Sequence, residues 1–168
     1  METNNQRKTP TVLVPYDFGP KAKTALQEAI KVADFIKGQI YLLSVLQASN
    51  FFTELFKSEK QQREERRHVE NKLKEVILET RKTYHGNIRY IVEHGSPAEV
   101  ILEQAQIRNA QYIIMGKMSS TVSAFHFIGP LTMHIIASAP CPVITVSENS
   151  IENGRFDNIL LPIDLSKQ

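Results

Sequence analysis

Cysteine is nearly absent from this chain: Cys141 is the single one among 168 residues. An intrachain disulfide and a thiolate-rich metal cage are thereby excluded, and a reducing compartment is the natural setting. The seven glycines, at 19, 38, 86, 95, 116, 129 and 154, stand far apart. Neither the Gly-x4-Gly-Lys-Ser/Thr phosphate loop nor the three-glycine dinucleotide fingerprint can be built from them. Charge of one sign is also lacking, since 20 basic against 18 acidic side chains leave a formal charge of +2. A dedicated nucleic-acid binder needs a surplus to neutralise phosphates, and no nucleic-acid partner is expected. No apolar run approaches 18 residues, and the opening METNNQRKTP has no apolar segment. The expectation is a cytoplasmic protein without a membrane contact. The five histidines show no i, i+4 pair and no neighbouring cysteine pair, so no metal site is expected.

What remains is an ordinary globular composition, 42% hydrophobic and 23% charged, long enough for one domain and one core. Thr11–Tyr16 (TVLVPY) reads as a strand buried on both faces, with Pro15 at its last position of pairing because proline cannot donate to a ladder. Ala22, Ala25, Leu26, Ala29, Val32, Ala33 and Ile36 then follow helical spacing, and Gly38 is read as the terminator. Ile40–Leu46 is the second strand. From about Glu54 to Tyr84 the chain is charged, with Val69, Leu73, Val76 and Ile77 on one helical face. Its stretch 57–68 holds five basic and three acidic side chains and no apolar one, which reads as a solvated face. Ile88–Glu93 is the third strand. Ser96-Pro97-Ala98-Glu99 predicts a helix start with a capping box. Gln111–Met115 is the fourth strand, closed by Gly116. A Ser/Thr-rich loop reaches Gly129, Pro130 opens a short helix through Ala137, and Pro142–Val146 is the fifth strand.

Short apolar strands alternating with helices predict an α/β fold, a mostly parallel sheet with helices on both faces. A ligand site in such a sheet lies beyond the carboxyl ends of the strands where the winding reverses, which directs attention to Asp17 and Gly116. Ile159–Leu165 (ILLPIDL) repeats Val12–Phe18 (VLVPYDF), with Pro and Asp both displaced by 147 positions. The organisation read from this is a disordered leader over 1–10, a domain over 11–147, a linker over 148–157 and the start of a truncated second repeat over 158–168. The repeat strand is expected to dock on an exposed sheet edge.

Four pieces in order, VLVPYD with its Ala/Leu helix, His94–Glu99 (HGSPAE), Ala110–Gly116 (AQYIIMG) and Ala139–Val146 (APCPVITV), resemble the universal stress protein (UspA-like) family over residues 11–147. The resemblance implies a five-stranded parallel sheet in the order 3-2-1-4-5, with a Rossmann-like, adenine nucleotide alpha hydrolase-like architecture. It implies dimers formed through the last strand, here Val143, Ile144, Thr145 and Val146. In one subgroup it implies a bound adenine nucleotide, ATP or AMP. Carried over, the nucleotide-binding site comprises Pro15, Asp17, Val45, Gly116, Lys117, Ser119, Gly129 and Pro130, with Asp17 on the base or ribose and the loop from Gly116 on the phosphates. The subgroup's Gly-x2-Gly-x9-Gly-Ser/Thr loop keeps its spacing here, but Ser119 stands in the second glycine place and Pro130 in the hydroxyl place. Pro130 deletes a backbone N–H and a hydroxyl where an anion would be held. Losing two charge-assisted hydrogen bonds at about 1.5–3 kcal/mol each weakens binding by about 100-fold or more.

Two functions stand side by side: a non-catalytic stress-response module sensing a nucleotide in a partly degraded site, and a nucleotide-free module that dimerises or binds partners through the fifth strand. An enzyme acting on an adenylylated substrate is a third, resting on fold analogy alone. No Gly-x-Ser-x-Gly elbow is present, and Cys141, between two prolines, reads as a packing residue. Asp17 has a structural alternative of its own, capping the turn that follows the first strand.

Overall fold

The computed structural model describes residues 9–47, 58–116 and 129–147. Five strands, β1 (Thr11–Pro15), β2 (Gln39–Leu46), β3 (Asn87–His94), β4 (Ala110–Gly116) and β5 (Val143–Val146), alternate with α1 (Pro20–Ile36), α2 (Glu59–Thr80), α3 (Pro97–Ile107) and α4 (Pro130–Ser138). They form one sheet in the order β3-β2-β1-β4-β5 with every pairing parallel, as the family resemblance implied. The leader through residue 8, the linker and the repeat at 158–168 lie outside the described residues.

Alternation along β1 divides the core in two. Val12 and Val14 point to a face covered by α1 and α2, where they meet Ala25, Ala29, Leu73 and Ile77. Leu13 points to the other face, with Val100, Ile101 and Ala105 of α3 and Ile135 of α4. A strand whose odd and even residues both bury apolar side chains must read as a continuous hydrophobic run, and TVLV does. The alanine stripe of α1, with Ala25 and Ala29 wholly buried, lets that helix lie close on the sheet. Cys141 packs with the α3 and α4 face, and burial pushes its thiol up from its ordinary value.

The amino ends of four strands are tied by side chains. Asn87 donates to the Gln39 side chain at 3.3 Å, and Gln39 donates to the Thr11 hydroxyl at 3.2 Å. Between β1 and β4 the register slips: Thr11 pairs with Ala110 and Val12 with Tyr112. Gln111 is the extra residue of this bulge, and its side-chain oxygen accepts the Thr11 N–H at 2.6 Å. The side chain thus supplies the partner that the interrupted ladder withholds.

One local expectation gains detail and another is corrected. α1 ends just before Gly38, as expected, and the left-handed residue there is Lys37, at φ 54°. Gly38 is there because the Pro10 carbonyl oxygen would lie 2.8 Å from any Cβ. No capping box forms at Ser96, whose side chain makes no capping bond. Ser96 and Glu99 are both exposed, and at an exposed helix start solvent competes for the groups a box would pair. The box forms instead at Ser58, which accepts from the Gln61 N–H while the Gln61 side chain accepts from the Ser58 N–H.

That cap starts a helix whose first ten residues, Glu59 to His68, include no buried side chain. Arg63 pairs with Glu59 and Arg66 with Glu70 along this solvated stretch. The hold on the sheet comes later, through Leu73 and Ile77. Leu73→Ala should therefore cost about 2–5 kcal/mol. Arg63→Ala should cost less than about 0.5 kcal/mol. Urea denaturation of the two variants checks the contrast, and equal midpoints would mean that α2 is not anchored at Leu73.

Candidate functional site

The winding reverses between β1 and β4, and the pairing of these strands stops early. Their ladder runs only to Leu13 and Ile113, whereas β1 continues alongside β2 to Pro15 opposite Leu43. The Tyr16 N–H points to β2, where the Leu43 carbonyl accepts it at 2.7 Å. By alternation the backbone nitrogen of residue 15 faces β4, and proline has no hydrogen there to give. The next rung cannot form, so the two strands part and leave a cleft of about 430 Å³ at their carboxyl ends.

Pro15, Asp17, Val45 and Gly116 all line this cleft. Gly129 and Pro130 begin α4, whose next residue, Leu131, lines it as well. Lys117 and Ser119 lie outside the described residues. Sequence reasoning missed Lys21, Ser44, Gln47, Pro97, Ile101 and Met115, which complete much of the wall. The helix starts were their available signal, because a parallel sheet directs every following helix back from its carboxyl edge.

Asp17 is exposed, and its Oδ1 accepts the Gly19 N–H at 2.9 Å. The capping role weighed for it is therefore real, in a residue that also borders the cleft. Gly19 fits this turn because a Cβ would stand 3.0 Å from that oxygen. Between them Phe18 takes the left-handed conformation, φ 67°, unusual for a bulky side chain. Its ring meets Tyr16 edge-on at 5.4 Å and lies 5.6 Å from the Lys72 ammonium of α2. The turn thus sends Phe18 to the α1 and α2 face while residues 17 and 19 border the cleft. Burial and the neighbouring Asp17 carboxylate push the Tyr16 phenol up from its ordinary value.

Gly116 has a structural reason to be glycine. A Cβ there would fall 2.6 Å from Lys21 Cβ and 2.8 Å from the Lys21 carbonyl. The bare backbone admits the first turn of α1 against the end of β4. Gly95, at φ 140°, turns the chain from β3 toward α3.

Three helices, α1, α3 and α4, begin at the cleft, each with proline in its first turn and none with a side-chain cap. Their positive dipole ends converge on one space. Asp17 and Lys21 are the only charged side chains among the described residues that line it. Thr132, one residue past Leu131, is wholly buried, and its hydroxyl has no hydrogen-bond partner among the described residues. Among the described residues no three His, Cys, Asp or Glu side chains cluster to hold a metal ion, and no helix is long and apolar enough to cross a membrane.

Pro15→Ala, which restores an N–H without adding bulk, should let β1 and β4 form one more rung and narrow the cleft. Hydrogen exchange by NMR should then find the new amide at position 15 protected. Rapid exchange there would mean that something other than the missing donor parts the strands.

Comparison with known proteins bears on what this cleft belongs to. The family model described as the universal stress protein family matches residues 8–147. The universal stress protein MJ0531 of Methanocaldococcus jannaschii is 24% identical over 156 residues, 86% of each chain. Among solved structures, the fold is shared with the universal stress protein UspA from Lactobacillus plantarum. The TM-score is 0.69 at 22% identity, covering 83% of this chain and 98% of that one. It is shared too with the universal stress protein from Archaeoglobus fulgidus in complex with dAMP, with a TM-score of 0.59 at 18% identity, covering 82% and 96%. With 140 consecutive residues matched by the family model, this chain belongs to the universal stress protein family.

Proposed function

We propose that this protein is a non-catalytic, cytoplasmic stress-response module that holds an adenine nucleotide in the cleft between β1 and β4. The observation that carries the reading is the convergence of Pro15, Asp17, Val45 and Gly116 with the start of α4 on one cleft of about 430 Å³. An apolar cleft with a few placed polar groups is what small ligands need. The Archaeoglobus fulgidus relative carries dAMP on the same fold, which supports the choice of ligand. In this reading the free edge of the Asp17 carboxylate accepts from the ribose or base, and Val45 and Pro15 pack on the flat ring. The phosphate side is reduced by Ser119 and Pro130.

Mass spectrometry of small molecules released on denaturation, followed by calorimetric titration with ATP and AMP, tests this directly. Stoichiometric adenine nucleotide, or micromolar binding lost in Asp17→Ala, is the expected result. Asp17→Asn keeps an acceptor for the Gly19 N–H and serves as the control for folding. Ser119→Gly with Pro130→Ser should strengthen binding, by up to about 100-fold if two charge-assisted bonds return. No released nucleotide and no heat at millimolar ligand would sink the reading.

The second reading, an interaction module acting through β5, has its own observation. Val143, Ile144 and Thr145 on this edge strand are only partly buried, and α4 exposes Met133 and Ile136. An apolar sheet edge accepts another strand, and a second copy of the chain is the partner proposed. Light scattering should find a dimer that Ile144→Lys dissociates, whereas a wild-type monomer at high concentration removes this reading.

A further inference from the structure

We infer that the free edge of β3, together with the flank of α2 that overhangs it, is a docking surface for an extended acidic segment of a partner protein. The helix supplies the charge. Lys60, Arg67, Lys74 and Arg81 recur every seven residues along α2 and its cap, so they stack in one row that drifts by about 20° per step. The row is about 32 Å long. All four side chains are exposed, and none has an acidic partner among the described residues. On the sheet side of the row, Glu59 and Glu70 are already held by Arg63 and Arg66. By the helical period Glu64 and Glu75 fall on its far side, turned from the sheet. In a chain whose formal charge is only +2, four uncompensated cations in one row make a local positive field.

The fold sets this row over an open strand. α2 packs chiefly on β3, the last strand of the sheet. Leu73 and Ile77 face the sheet, and Lys72, 5.6 Å from the Phe18 ring, faces β1 and α1. At about 100° per residue the row lies on the flank opposite Lys72, above the side of β3 where no described strand follows. The Gly95 N–H goes to the Leu46 carbonyl at 3.1 Å. By alternation the backbone groups of Ile88, Tyr90 and Val92 therefore face outward. On the other face of the sheet Arg89 is exposed and donates to the Tyr41 hydroxyl at 3.4 Å, with Arg108 over that ring at 4.5 Å. Cations thus stand on both faces of the edge, and Glu93 is the one acidic residue of β3. An edge with open backbone groups takes another strand. The eight residues of β3 extend about 26 Å, close to the length of the row. A second copy of β3 would bring a second row of like charge, whereas acidic side chains at alternate positions of an added strand meet the row. Nucleic acids and anionic membranes match the charge but leave the backbone of β3 unpaired.

Calorimetric titration of the full chain with a peptide of about ten residues alternating Glu and Thr tests the assignment. A Lys/Thr peptide and a backbone N-methylated Glu/Thr peptide are the controls. The Glu/Thr peptide should bind, and each control should bind at least about tenfold more weakly, the first for its charge and the second for its lost N–H groups. Lys60→Gln, Arg67→Gln and Lys74→Gln, combined, change only exposed side chains and should weaken the Glu/Thr peptide about tenfold. Hydrogen exchange by NMR should find the Ile88, Tyr90 and Val92 amides protected when the peptide is bound. Equal affinity for the Glu/Thr and Lys/Thr peptides, or an unchanged affinity in the triple variant, overturns the role of the row. Amides of β3 that stay unprotected overturn strand addition. No heat with the Glu/Thr peptide at millimolar concentration, or tighter binding to duplex DNA or phosphatidylserine vesicles, overturns the acidic segment as the occupant.

Discussion

A central strand of a parallel sheet has to hydrogen-bond on both sides, and β1 does so for only part of its length. Toward β2 it is paired to its last residue; toward β4 it stops at Leu13, two residues before a proline whose nitrogen faces that neighbour. The rest of the upper edge follows from this asymmetry. Where the strands part, the chain turns under the Asp17 to Gly19 bond, and α1 descends over the gap instead of over a closed ladder. The bare Gly116 then receives the first turn of α1 at close range. A reversal of winding makes a crevice in any sheet of this kind. In this chain the crevice opens where β1 has no donor to offer β4.

The opposite edge of the sheet shows the contrasting solution. At the amino ends β1 again loses a backbone partner, because the bulge at Gln111 shifts the register. There the side chain of Gln111 closes the gap, and Gln39 and Asn87 extend the polar chain to β3. Both ends interrupt the same pair of strands, yet only the upper one is left open. A buried amide without a partner is expensive, whereas a proline nitrogen has nothing to satisfy. The lower interruption had to be filled by a side chain and the upper one did not, which is why the cleft lies where it does.

Residues 11–16 and 40–46 were legible as strands because burial on both faces demands unbroken apolar runs, and α1 because its alanines recur at helical spacing. The order of the strands came from the family resemblance, since periodicity carries no information on which strand neighbours which. Local details failed where two chemistries satisfy one sequence pattern. Ser96 and Glu99 spell a capping box but are exposed to water, while Ser58 and Gln61, in a stretch read only as charged, form one. Gly38 marks the end of α1, but Lys37 takes the left-handed conformation there. Gly38 answers to the close Pro10 carbonyl, a contact between segments that no local pattern encodes. Half of the cleft was legible for the same reason that half was not. Asp17 and Gly116 end strands and carry recognisable motifs, whereas Lys21, Pro97 and Ile101 reach the site only through the packing of their helices.

Asp17 shows why the structural and the ligand-binding accounts of this site need not compete. One oxygen holds the Gly19 N–H, fixing the turn that carries Phe18 through its left-handed conformation and starts α1. A carboxylate so held has lost its rotational freedom before any ligand arrives, so the cost of ordering it is already met by folding. The same bond removes one N–H from the positive helix end beside it. An acceptor is thereby fixed at one side of the cleft, and the donors of α3 and α4 are left at the others.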